Sequence, residues 1–390
     1  MKILFWMFTG FDSRTTSEHL LLAVIEKLCE AGHSVHIIQK DTGGGRPSVP
    51  DCIAGYGVTT DTVSFRAADK NNFAARYLAD IGYVRKCGKL MRTGFDAVFI
   101  QSNNVAGFAV SAVRKKLPKA VLTFNVQDIF PYNAAYGGVV SKKSPVFRLL
   151  SAVQRRGYRR SDHIITISED MKDTLVSDGT PAEKIDVVYN WSYGDGVYDA
   201  QDLSPVSRLF GNGFRVVYAG NIGVMQNADV IIETAKLMKD DGSVGFYIIG
   251  DGVYKKRLEA KADEYGLTNV AFIPMQPPEL APLVYGAADV NVIPLIRDGF
   301  RTALPSKTAT CLACGRPVIF AIGRESRFAR RAEEEAGCTV VEPDGAEELA
   351  EAVSRLKNSE YDRAPADGFF LKHLGKTANS RRYAEIITGR

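Results

Sequence analysis

Short apolar runs recur along this chain, and almost every one is followed by a segment with helical spacing of its apolar residues. In the first half the strand-like runs are Ile3–Met7, Ser34–Ile38, Ala97–Ile100, Ala120–Phe124 and His163–Ile167. The helical segments between and after them are Ser17–Ala31, Val105–Lys116, Pro145–Arg160 and Glu169–Val176. Strands that are apolar on both faces need cover on both faces. Alternation with helices supplies it, so the pattern predicts a parallel sheet between two helical layers. A second series begins at Arg215–Ala219. It continues through Gly245–Ile249, Val270–Ile273, Val290–Ile293, Pro317–Ala321 and Thr339–Val341. Its helices are expected near Ala228–Lys239, Tyr254–Tyr265, Ala281–Ala287, Lys307–Ala313, Ser326–Glu335 and Ala346–Leu356.

The two series are separated by Ser192–Gly213, a stretch with glycines and little periodicity. A length of 390 residues exceeds what one core usually serves. The expectation is therefore two α/β domains, residues 1–195 and 210–373, with a helix over 374–390 crossing back to the first. Ligands of open α/β sheets bind beyond the carboxyl ends of the strands, so two such domains predict a cleft between them. Asp41–Pro50, with Gly43-Gly-Gly45, reads as a loop.

Charge and cysteine usage narrow the function classes. The six cysteines (Cys29, Cys52, Cys87, Cys311, Cys314, Cys338) lack a framework spacing, which favours reduced thiols and a cytoplasmic setting. Cys311 and Cys314 form a lone C-x-x-C without the second pair or histidines that a zinc site needs. The five histidines show no ligand spacing and there is no Asp-x-Asp, so neither a metal nor another cofactor is expected. No run approaches the roughly 18 apolar residues of a membrane span. Met1–Phe8 reads as a buried first strand, since its apolar run lacks a cleavage site.

The net charge of +4 is unevenly placed. Between Ala97 and Ser161 the sole acid is Asp128, against a series of cations from Arg114 to Arg160. Within it Val146, Leu149, Leu150 and Val153 share a helical face. That stretch reads either as a solvated helix back or as a surface for anionic lipid or a polyprenyl-diphosphate acceptor. Nucleic acid is not expected as a partner, because no binding motif accompanies the charge.

Two strand-to-helix turns carry candidate chemistry. In Tyr218-Ala-Gly-Asn-Ile-Gly-Val-Met-Gln-Asn227, Gly220 and Gly223 permit close backbone approach, and Asn221 and Gln226 are uncharged donors. This suits a diphosphate cradle, though glycines also end strands for local reasons. Ile248-Ile-Gly-Asp-Gly252 repeats the pattern around Gly250. Further on, Pro305-Ser306-Lys307 opens a small-residue helix, Ser306 to Ala313, that stops at Gly315. Such an opening offers a hydroxyl, free N–H groups and one ammonium to a phosphate. Lys307 is the bet for diphosphate counter-charge, with Arg301 or Arg297 assisting; a solvated helix-start lysine is the alternative.

The order of these pieces, with Asn269-Val-Ala-Phe-Ile-Pro274, Ala287-Ala-Asp-Val290 and Cys314-Gly-Arg-Pro-Val-Ile319, resembles glycosyltransferase family 4. Ser161–Ser168 and Lys184–Trp191 are similar to that family's approach to its interdomain hinge. The likeness is to the subgroup, making bacterial surface polysaccharides on lipid carriers, in which Pro-Ser-Lys replaces Gly-Phe-Gly. It implies the GT-B fold, two Rossmann-like domains facing each other across a cleft. It also implies a retaining hexosyl or N-acetylhexosaminyl transfer from a nucleotide-diphosphate sugar, with UDP the expected nucleotide, to a lipid-linked saccharide. The setting implied is the inner face of the plasma membrane, met peripherally through the basic N-terminal domain.

On this resemblance Gly10, Gly220, Asn221, Gly223, Gln226, Gly250, Phe272 and Ile273 bind the donor. So do Arg301, Pro305, Ser306 and Thr310. Asp128 orients the acceptor or the transferred sugar, with a helix-capping role as its alternative, and Asn103 and Gln127 bind the acceptor. Asp12, Ser13 and Arg14 follow Gly10 in the loop expected to approach the diphosphate. The chain departs from the family where a pair of glutamates is usual: Thr302 and Thr310 stand there. A threonine can meet a ribose hydroxyl, but without charge assistance. The family's cationic pair is likewise replaced by Asn221 and Gln226. Two other readings stay open: a UDP-sugar 2-epimerase, which would need further carboxylates and a histidine, and a non-catalytic partner with a decayed donor site.

Overall fold

The computed structural model describes residues 1–11, 18–41, 49–65, 72–198 and 202–389. Asp12, Ser13, Arg14 and the Gly43–Gly45 loop lie outside them. The chain forms two compact units, residues 1–190 with 376–390 and residues 191–375.

The first unit holds a seven-stranded parallel sheet in the order β3-β2-β1-β4-β5-β6-β7. Its strands are β1 (Lys2–Trp6), β2 (Ser34–Asp41), β3 (Thr59–Ser64), β4 (Ala97–Ile100), β5 (Val121–Val126), β6 (His163–Thr166) and β7 (Ile185–Val187). The central strands β1 and β4 are buried almost throughout, as their apolar composition requires. β3 and β7 were absent from the sequence reading. β3 is the polar run Thr-Thr-Asp-Thr-Val-Ser with only Val63 buried, an edge strand that needs apolar residues on one face at most. Also unread was the long helix Phe73–Leu90, whose buried residues are only Tyr83, Val84 and Cys87.

The second unit holds a six-stranded parallel sheet in the order β10-β9-β8-β11-β12-β13. These are β8 (Phe214–Ala219), β9 (Val244–Ile249), β10 (Val270–Ile273), β11 (Val290–Pro294), β12 (Val318–Ala321) and β13 (Thr339–Val341). The order runs outward one way from β8 and the other way from β11. The carboxyl ends of those two strands therefore mark the switch point at which an open sheet receives ligands. In the first sheet the corresponding point lies between β1 and β4.

The helix Lys376–Thr388 belongs to the first unit and buries Ser380, Tyr383, Ala384, Ile386 and Ile387 there. The expected linker is partly structured. Ser192 is fully buried, and the Tyr198 N–H donates to the Ala313 carbonyl at 2.6 Å, so this stretch packs within the second unit. Burial pushes the Cys314 thiol up to about 12, in keeping with a core thiol. Among the described residues no group of His, Cys, Asp or Glu converges as a metal-ligand set.

Candidate functional site

In the second unit the loops leaving β8 and β9 pass each other backbone against backbone. Gly220 and Gly250 both have φ in the left-handed region, +137° and +151°. A Cβ on Gly250 would overlap the Gly220 carbonyl, so only glycine fits. The Gly250 N–H donates to the Ile273 carbonyl at 2.9 Å, which fastens the second loop to the end of β10. Phe272, beside Ile273, packs against the hydrophobic core of this unit.

Lys307 lies against this pair of loops. A Cβ on Gly220 would stand 3.0 Å from the Lys307 Nζ. The same ammonium sits 3.6 Å from the ring centroid of Tyr218, the penultimate residue of β8. Tyr218 is buried, and its hydroxyl donates to the Asn221 carbonyl, so the ring is held from both ends. Among the described residues Lys307 has no acidic partner, and burial pushes its pKa down to about 7. A desolvated ammonium facing an aromatic plate and a glycine turn, with no carboxylate to neutralise it, is poised for an external anion.

The other expected donor residues divide. Gln226 Oε1 accepts from the Gly223 N–H at 3.1 Å and from Asn221 Nδ2 at 3.2 Å. Gln226 thus closes the turn on itself. Arg301 pairs with Asp298 at 2.9 Å, and Arg297 with Glu342 and Asp344 at 3.4 and 3.3 Å. Each arginine already has its counter-charge, which sets both apart from Lys307.

Two expectations about the following helix need correction. It spans Thr308–Ala313 rather than starting at Ser306, because Pro305–Thr308 forms a turn in which the Thr308 N–H donates to the Pro305 carbonyl at 3.0 Å. Ser306 is exposed in that turn and caps nothing. Thr310 is buried, and its hydroxyl lies 3.3 Å from the Ser192 hydroxyl, which in turn meets Tyr198. All six residues of this helix are buried, so a side chain on it turns into the interior. Thr302 is buried too and donates to the Gly299 carbonyl.

In the first unit the strand ends carry a polar network. Gln101, after β4, accepts from the Phe8 N–H at 2.6 Å and so ties β4 to the loop of Gly10, which is buried. Asn103 Oδ1 accepts from the Val105 N–H at 3.0 Å and sets the entry to the helix Ala106–Lys116. Gln127, after β5, is fully engaged. Its Nε2 donates to Asn125 and to the Tyr383 hydroxyl at 3.0 and 3.2 Å, and its Oε1 accepts from Asn190 at 2.7 Å.

Asp128 differs from these neighbours. Among the described residues it has no hydrogen-bond or ionic partner. Water reaches its side chain, yet the protein around it is dense enough that desolvation pushes its pKa up to about 7. Two residues that the sequence reading missed, Tyr218 and Tyr383, complete the two clusters. Each is a core aromatic by composition, and its polar role depends on partners far away in sequence.

Residues 17–191 match a family model described as a glycosyl transferase 4-like domain, and residues 213–359 one described as glycosyl transferases group 1. WcaI of Escherichia coli K12, assigned by name to colanic acid biosynthesis as a glycosyl transferase, is 30% identical over 285 residues. That match takes in 70% of this chain and 69% of WcaI. WbjE of Pseudomonas aeruginosa, named as a glycosyltransferase, is 24% identical over 62% of this chain and 61% of its own length. Among solved structures, HepE of Anabaena, crystallised with UDP and glucose, superposes with a TM-score of 0.73. It covers all of both chains at 15% identity, a likeness of fold. The two matched domains, the WcaI similarity and the paired Rossmann-like sheets make this chain a member of the family 4-type glycosyltransferases of GT-B fold.

Proposed function

We propose that this glycosyltransferase takes its sugar from a UDP-sugar, transfers it with retention at the anomeric carbon, and delivers it to a lipid-linked saccharide in bacterial surface-polysaccharide synthesis. The single observation that carries the donor half is Lys307, an ammonium without a counter-charge at the switch point of the second sheet. HepE, of the same fold, was crystallised with UDP, and WcaI is named for colanic acid biosynthesis. The acceptor half is supported by the run of cations between Arg114 and Arg160, which suits a membrane-held, anionic carrier.

In this reading the donor diphosphate lies over Gly220 and Gly250, where no Cβ intervenes, with Lys307 against its oxygens. The bond between the anomeric carbon and the diphosphate oxygen breaks, and negative charge grows on that oxygen beside the ammonium. The acceptor hydroxyl attacks from the same face and its proton passes to the leaving diphosphate, so charge and atoms balance. Asp128 orients that hydroxyl by accepting a hydrogen bond. Lys307 supplies the counter-charge, so the reading requires no metal ion.

Calorimetric titration with UDP, GDP and ADP, in the presence of a chelator, tests the donor half. Micromolar binding of UDP alone is the expected result. Preference for another base would replace the nucleotide, and absence of binding by all three would refute the donor site at Lys307. For the acceptor half, Lys307→Ala combined with Asp128→Asn should abolish transfer with the fold intact by circular dichroism. Wild-type transfer by that variant would overturn both assignments.

A further inference from the structure

The segment Cys314-Gly-Arg-Pro-Val-Ile319 contains an arginine that the transfer reaction does not use. Arg316 follows the helix Thr308–Ala313 and precedes β12, so it stands at the amino end of the second sheet. The donor loops leave the carboxyl ends, a strand length away, roughly 15 to 20 Å. Beside Arg316 opens a cavity of about 480 Å³, within the range of small-molecule sites. Phe214 and Asp289, at the starts of β8 and β11, line it from the sheet. Ser359, Tyr361 and Arg363 line it from the connection between the helices Ala346–Lys357 and Ala364–His373. All of these residues belong to the second unit.

Two guanidiniums meet there at Gly315. Arg316 follows it in the chain, and Arg363 lies against its backbone: a Cβ on Gly315, whose φ is +60°, would stand 2.4 Å from the Arg363 Cζ. Arg363 is neutralised by Asp367 through contacts at 2.8 and 3.3 Å. Lys357, also in the lining, is held by Asp241 at 2.8 Å, and the carboxylate of Asp289 accepts from the Arg215 N–H at 2.7 Å. Arg316 differs. Its Nε donates to the Gly286 carbonyl at 2.8 Å, at the end of the helix Ala281–Gly286, where a cation offsets the partial negative charge. That contact uses a single N–H of the guanidinium. The Nη groups have no partner, and no acid pairs with them, among the described residues. Tyr361 is half-buried, and among the described residues its hydroxyl makes no hydrogen bond either. The helix-end contact explains the Arg316 Nε. It does not explain an open cavity whose Nη groups and phenol are left unused.

We infer that this cavity binds a small phosphate monoester, its phosphate on the Nη groups of Arg316 and its hydroxyls on Tyr361 and Ser359. A guanidinium fork matches the paired oxygens of a phosphate. One uncompensated cation suits one phosphate rather than a polyphosphate. An apolar ligand would leave both the guanidinium and the phenol unpaired. A sugar phosphate and a nucleoside monophosphate share the required chemistry, an anionic ester on a hydroxylated ring. Neither Lys307 nor a glycine of the donor loops lines the cavity, so the inference does not depend on the donor-site reading.

Calorimetric titration of the full chain with glucose 6-phosphate, UMP, glucose and inorganic phosphate tests it. Saturable binding of at least one ester is expected, tighter than that of inorganic phosphate, with none of glucose; the ester that binds identifies the source. Arg316→Gln should weaken that binding by about tenfold or more. Tyr361→Phe should weaken it several-fold. Ser359→Trp, an exposed position at which a large ring fills the cavity and leaves every charge in place, should weaken it as well. Lys307→Ala should leave it within about twofold. Urea unfolding of each variant checks that the fold survives. Absence of saturable binding by both esters would overturn the inference, as would binding no tighter than that of inorganic phosphate. So would wild-type affinity in Arg316→Gln or Ser359→Trp, or a loss in Lys307→Ala equal to that in Arg316→Gln.

Discussion

The strand ends of the two sheets solve opposite problems. At the second sheet the loops after β8 and β9 are pressed together backbone to backbone by glycines, and the ammonium of Lys307 beside them has no acidic partner among the described residues. At the first sheet Gln101, Asn103 and Gln127 are polar side chains with hydrogen bonds already made inside the unit, whereas Asp128 has none among the described residues. Polar residues at a strand end are thus a poor guide to a site. The informative groups are those whose chemistry is left incomplete, because a buried or desolvated group without a partner costs stability that a ligand can return.

The sharpest way to break this comparison is Gly250→Ala. The new Cβ would overlap the Gly220 carbonyl at a φ that alanine resists, so a loss of about 3 kcal/mol or more is expected in urea unfolding, with UDP binding lost as well. A variant of wild-type stability would show that the two loops are not locked together. Next in size is Lys307→Met, for which UDP affinity should fall about ten- to hundredfold. Its stability should move the other way. The folded pKa of about 7 lies below the ordinary 10.5, so between those values the unfolded chain binds the extra proton, and wild-type stability rises with pH across that window. The methionine variant should lack that rise and melt higher than wild type below pH 7. A lower melting temperature there would mean that the ammonium has a stabilising partner.

Gln127→Ala should cost about 1 to 2 kcal/mol, since it leaves the Asn190 amide without its acceptor and takes from the Tyr383 hydroxyl the donor it accepts from, while UDP affinity stays unchanged. A specific loss in acceptor KM at unchanged stability would instead restore Gln127 as an acceptor-binding residue. The smallest effect is expected from Ser306→Ala, within about 0.5 kcal/mol by thermal melting, because its hydroxyl is exposed and caps no helix.

Apolar runs made most of the architecture legible in advance. Val270–Ile273, Thr339–Val341 and the helix Pro145–Arg160 have the bounds read from the sequence. What escaped were elements with little apolar surface to bury, β3 and the helix Phe73–Leu90, whose positions are set by neighbouring strands and helices rather than by local pattern. In the site, the glycine turns and Lys307 announced themselves through residue type and order. The inward turn of Thr310 did not, because it depends on Ser192, and the engagement of Gln127 depends on Tyr383, 256 residues away. Local chemistry suggests which groups can bind a ligand, while long-range packing decides which remain available.

The return of the helix Lys376–Thr388 to the first unit has a consequence for biogenesis. A ribosome delivers residues 1–190 early, but this helix emerges only after residues 191–375 have been made. The nascent first sheet therefore waits with the site for Tyr383, Ile386 and Ile387 uncovered, while the second unit already has its whole sequence. Such an interval is a natural place for a chaperone to act. A stalled chain would expose this apolar seam before any active enzyme could exist.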